Sequence, residues 1–169
     1  MAQKAITIYT PLTDAAHIYA EDDAQINRGI MGGSGITLAD GQLECTVTGA
    51  NTVSMASGVF SNQGYIVLIQ GGTALSFTLD YASAGAYRHD LVVADFIRGG
   101  GNTADAHTFH IVKGTEAATA DGAADPTLIQ DDLATGGTQR QEPVWRVIVN
   151  GSTVTGVERV ARYIGNVYQ

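Results

Sequence analysis

Cysteine is all but missing from the chain: Cys45 is the only one in 169 residues, which excludes an intrachain disulfide and fits synthesis in a reducing place. Cys45 alternates with Leu43 and Val47 in LECTV, so it is expected as a small core hydrophobe rather than a nucleophile. Charge is also scarce. Charged residues make up 15% of the chain against a usual value of about 25%, and nine basic residues face seventeen acidic ones for a net charge of −8. Such a surface repels phosphate backbones and anionic lipid, so neither nucleic acid nor membrane is an expected partner. Apolar runs are short, none approaching the roughly 18 residues of a membrane span. The opening MAQKAITIYTPL has no h-region and no small-residue cleavage site, and the chain is expected to be soluble without an export signal. Catalytic signatures are missing as well. There is no serine nucleophile elbow, no Walker loop and no dinucleotide fingerprint, since GGSG lacks a preceding strand and the right spacing. The expectation is a protein that is not an enzyme and takes no cofactor.

What the chain has in abundance is glycine, 21 of 169 residues, nearly twice the usual share of about 7%. Many turns follow. The length suits a single module spanning 1–169, able to bury roughly 70% of its unfolded surface. One segment has helical spacing: Tyr19, Ile26 and Ile30 fall on one face, acidic Glu21, Asp22 and Asp23 occupy the first turn, Arg28 lies near the end, and Gly32 and Gly33 supply the stop. A short amphipathic helix is predicted over about 20–31.

Nearly everything after Gly35 has the two-residue period of strands. GQLECTVTG alternates Leu43, Cys45 and Val47 with polar residues, TALSFTLD alternates Leu75, Phe77 and Leu79, and NTVSMASG repeats the pattern. GYIVLIQ and DLVVADFI are near-continuous apolar runs, which suit strands covered on both faces. HTFHIVKG and VWRVIVNGSTVTGVE complete the set. Glycine- and asparagine-rich turn signals separate these runs, and Asn150-Gly151 is a hairpin signal with both residues as the central pair of a type I′ turn. The predicted fold is mainly β, an antiparallel sandwich-like or barrel-like domain with one short N-terminal helix. Residues 114–143, rich in Ala, Thr, Gly and Asp, are expected as a long surface excursion in which only LIQDDL packs. The closing stretch offers Val160, Tyr163, Ile164 and Val167 for a last strand or an intersubunit arm.

Candidate chemistry is thin. In YRHDLVV a strand puts Arg88 and Asp90 on one face and Tyr87 and His89 on the other, so His89 and Asp90 are not a base and its orienting acid. Arg88 and Asp90 are expected as a structural polar pair at a strand mouth. Asp105, His107 and His110 lie together in sequence, but the two histidines fall on opposite faces of a strand and no further ligand completes a zinc site; no metal is expected. Asp121, Asp125, Asp131 and Asp132 lack EF-hand spacing and are expected as solvated loop charges. Trp145 alternates with Val147 and Val149, which argues for packing, yet Trp145 and Tyr87 are the two candidate platforms for stacking a saccharide. Tyr81, Tyr163 and Tyr168 are less committed.

The order of the motifs resembles a known family. A YAED entry into a short helix is followed by SGVFSNQGYIV, YRHDLVVADF, HIVKGT, a proline-containing loop and PVWRVIVNGSTVTGVE. This succession, over almost the whole chain, is similar to the tail-tip and baseplate structural proteins of bacteriophages and prophages of Gram-positive hosts, described as minor structural, tail-fibre or receptor-binding components. His89 departs from the apolar residue usual between the Arg and the Asp of that family. The resemblance implies a β-sandwich-like virion module, made in the host cytoplasm, that assembles as a homotrimer or within a ring, contacts other tail or baseplate proteins and supports host attachment. Its alternative is a carbohydrate-binding, receptor-binding module for a host-surface saccharide.

Overall fold

The computed structural model of the protein describes residues 19–165. Helix α1 spans Ala20–Met31; the Tyr19 N–H donates to the Asp22 carboxylate at its start, and Gly32 closes it in the left-handed conformation with its N–H on the Arg28 carbonyl. Bounds and caps follow the sequence pattern, but the buried face does not. Ala24 and Asp22 are the buried positions of α1, while Tyr19, Ile26 and Ile30 are exposed, Ile30 at 59%. The reason is the closeness of the contact. Gly64, at φ +95°, presses against the Ala24 backbone so tightly that a Cβ would collide with the Ala24 carbonyl, and Asn27 Nδ2 donates to the Gly64 carbonyl. Only small residues allow that approach, so the large apolar groups lie on the opposite face.

Among the described residues nine strands build two sheets: β1 (Gly35–Thr37), β2 (Cys45–Gly49), β3 (Thr52–Asn62), β4 (Tyr65–Thr78), β5 (Tyr87–Ile97), β6 (Ala106–Val112), β7 (Gln139–Asn150), β8 (Thr153–Arg159) and β9 (Tyr163–Ile164). In the first sheet β3 is central, with β4 along one side and β2 and then β1 along the other; β9 joins β1 in parallel, and every other pairing is antiparallel. The second sheet has the order β6-β5-β7-β8. The fold is mainly β, sandwich-like, with one short helix near the N-terminus. Between the sheets lie Ile36, Leu43, Val53, Met55, Phe60, Phe77, Val92, Trp145, Val147 and Val149. A smaller cluster of Ala24, Tyr65, Phe96 and Leu133 docks α1 at one end. Burial of these side chains, worth about 1.5–3 kcal/mol each, is what the alternation of the strands achieves.

The two near-continuous apolar runs part company. β5 is buried along nearly its whole length, as expected of a strand covered on both faces. β4 is not: Ile66 and Leu68 point away from the core and are exposed, Leu68 at 54%. The difference lies in what crosses each sheet. The excursion over the β5 face begins at Gly114 and ends sooner than predicted, because residues from Gln139 onward already belong to β7. It pairs Ala117 with Tyr87, lays Asp125 against His89 and Arg146, and ends by pairing Gln130 with Arg140. Among the described residues nothing comparable crosses Ile66 and Leu68.

Two turns refine the prediction. Asn150 pairs with Thr153, so the β7–β8 turn is Gly151-Ser152, one residue later than expected, and only Gly151 has positive φ, +55°. Glycine at the first central position satisfies that conformation alone, which frees Asn150 for the ladder. Pro143 lies inside β7 where the register to β5 shifts at Val144, a bulge where proline's missing N–H is tolerated.

Candidate functional site

Arg88 and Asp90 meet as their spacing in a strand suggests. Both are sealed from solvent, Arg88 at 0% exposure, and the guanidinium donates two bonds to the carboxylate, 2.8 Å from Nε and 2.9 Å from Nη2. The remaining capacity is used: Nη2 donates to the Asp80 carbonyl, Nη1 to that of Tyr81, and Asp90 also accepts the Gly114 N–H. The hydrogen bond to Asp90 pushes Arg88 upward, against the opposing effect of burial. This pair ties the segment before β5 to the strand and to the start of the excursion. Its donors and acceptors are committed to protein.

On the outer face of the second sheet, His89 lies 3.4 Å from Asp125. Asp125 is held by both Arg146 Nε and Nη2 at 2.6 Å, and Arg146 also donates to Glu158 at 2.7 Å. The Arg146 bonds keep Asp125 below the usual carboxylate range and push Arg146 up. Asp131 and Asp132 are likewise lowered, by backbone N–H groups of Thr138 and Gln139 and of Ala134 respectively, so these solvent-facing carboxylates also fasten loop backbone. Asp105 accepts from the Gly99 N–H. Among the described residues no three His, Cys, Asp or Glu converge as a metal set.

The two histidines of β6 face opposite ways. His110 Nε2 is 2.8 Å from Asp95, whose carboxylate also receives Gln139 and Gln141. Asp95 was not singled out by motif; the available signal was an acid inside the run LVVADF. His107 points inward, edge-on to Phe96, with both ring nitrogens sealed from solvent and making no hydrogen bond of good geometry. Burial pushes it down to about 4, outweighing the opposing pulls of the Ile66 backbone and Asp95. Cys45, buried, is pushed up to about 11 by burial and by Glu44, which makes it a poor nucleophile.

Trp145 is removed as a saccharide platform. Its ring is 5% exposed in the core and its indole N–H donates to the Leu43 carbonyl at 2.8 Å. The alternation with Val147 and Val149 buries it, leaving no face for a sugar. Tyr87 is half-buried, beside the ladder to Ala117. Tyr81 is exposed, and Tyr163 stacks under the Arg159 guanidinium, 4.0 Å away. Tyr168 and Val167 lie outside the described residues.

The remaining feature is the open side of the sandwich. On the closed side β2 and β8 adjoin, and Val154 N–H donates across to the Ala50 carbonyl. On the other side β4 and β6 run next to each other, among the described residues without a strand on their outer edges, and a cleft of about 470 Å³ opens between them over Val67, Ile69, Leu75, His107 and Phe109. β4 bulges there: Ile69 and Ala74 pair with Gly58 and Ala56, so Gln70–Thr73 stand out from the ladder. Neither β4 nor β6 contains an Asp, Glu, Lys or Arg. The closed side carries Glu158 and Arg159 within β8 and Glu44 beside β2, whereas on the open side the charges, Asp105 and Lys113, only flank β6. No family model, no curated protein and no solved structure matches the chain.

Proposed function

We propose that the protein is a non-enzymatic structural component of a phage or prophage tail tip or baseplate, a virion part that assembles with copies of itself and with other tail proteins and supports host attachment. The observation that carries this reading is the open side: among the described residues, two strand edges without a strand partner and outward Ile66 and Leu68, with no charged residue inside either strand. Natural sheets blunt such edges with lysine, proline or a cover, because they pair with other chains. The motif order that resembles tail proteins adds the class of particle. The titratable groups that a hydrolase would need are already engaged: Asp90 by Arg88, Asp125 by Arg146, Asp95 by two glutamines and a histidine.

The saccharide alternative loses its strongest platform with Trp145. Titration with cell-wall polysaccharide is expected to give no binding heat from the isolated protein.

The test is to purify particles from the producing host, label them with an antibody raised against the protein, and image them. Label at the distal end of tails is the expected result. Particles that lack the protein by both labelling and mass spectrometry overturn the reading.

A further inference from the structure

We infer that the β4–β6 side is the face through which copies of this chain associate. The inference rests on the assembly reading and goes further by naming the surface and its occupant.

Two observations identify a second copy as that occupant. First, charge: each chain carries −8, so two copies repel unless they meet where charge is absent. β4 and β6 provide an edge pair free of Asp, Glu, Lys and Arg. Second, self-complementarity: among the described residues β4 pairs only with β3, so the arm Tyr65–Ile69 has an edge without a strand partner beside exposed Ile66 and Leu68, with His107 against the Ile66 backbone, and an identical arm presents the same groups in return. A charged partner would find no counter-charge on these strands. The bulge at Gln70–Thr73 stops continuous pairing along β4. It confines the contact to the Tyr65–Ile69 arm and the cleft floored by Val67 and Phe109.

The experiment is absolute mass by light scattering across a concentration series, for the wild type and for Leu68→Glu, Thr108→Lys and Ile30→Glu. All three positions are exposed, so near-ultraviolet circular dichroism should report an unchanged fold. The wild type is expected to be oligomeric. Leu68→Glu and Thr108→Lys should each weaken self-association by roughly thirtyfold or more, as charges placed at an interface centre do, while Ile30→Glu should leave it unchanged. A wild type that stays monomeric to the highest concentration reached sinks both the assembly reading and this interface. An oligomer indifferent to the strand variants, or broken by Ile30→Glu, overturns this interface and leaves the assembly reading standing.

Discussion

Arg88 shows what a single residue does in a chain with so little charge. Its guanidinium and the Asp90 carboxylate are both fully buried, and removing one partner of such a pair leaves the other desolvated, which costs about 3–5 kcal/mol. Arg88→Ala is therefore expected to lower stability by about that amount in urea unfolding, and an unchanged midpoint would refute the role assigned to the pair. His107 gives a prediction in pH. Its folded value of about 4 lies below the ordinary 6.5, so the unfolded chain binds the proton more readily between those values. The stability involved is complete above about pH 6.5 and is lost as pH falls toward 4, to a limit of about 3 kcal/mol. Unfolding midpoints of the wild type should fall more steeply over that window than those of His107→Phe; parallel curves would contradict the burial. The pairing of Arg88 with Asp90 was legible because two residues two apart in a strand share a face. The role of Asp125 was not, since its partner Arg146 lies 21 residues away across a loop, nor that of Asp131, whose partners are backbone N–H groups at Thr138 and Gln139 that no side-chain pattern marks.

At the scale of the elements, α1 is held by a contact between small groups. Gly64→Ala must push Ala24 away and also hold a positive φ, so it is expected to cost at least about 2 kcal/mol and to strip hydrogen-exchange protection from Ala20–Met31 before the strands lose theirs. Uniform loss across the chain would show instead that α1 is integral to the sandwich. Helix bounds and most strands could be read from periodicity and from the glycine stops. The buried face of α1 could not, because a hydrophobic stripe marks where a helix is apolar, while closest approach is decided by the turn it meets. GYIVLIQ and DLVVADFI show the same limit. Both runs look doubly buried, but among the described residues only DLVVADFI has a loop crossing its second face. Sequence periodicity records that a strand is apolar on both faces and carries no record of which chain covers it.

For the molecule as a whole, the acidic surface and the uncharged open side act against each other. Copies carrying −8 repel over a distance that salt shortens, about 10 Å at 0.1 M and 30 Å at 0.01 M. Sedimentation equilibrium is expected to show tighter self-association as sodium chloride rises from about 0.01 M to 0.1 M, and the opposite trend would mean that salt bridges, not apolar edges, join the copies. The parallel ladder between β1 and β9 has a different consequence. It couples Ile36 to Tyr163 and Thr37 to Ile164, reinforced by the Ile36 N–H on the Arg162 carbonyl and by Arg162 side-chain bonds to Gly32 and Ser34. When the chain is pulled from Tyr19 and Gly165, α1 comes under load first on the N-terminal side. Beyond it the tension runs along two parallel strands, so their bonds are sheared together rather than unzipped one by one. The strand pair that joins the ends of the fold is therefore also a mechanical clamp.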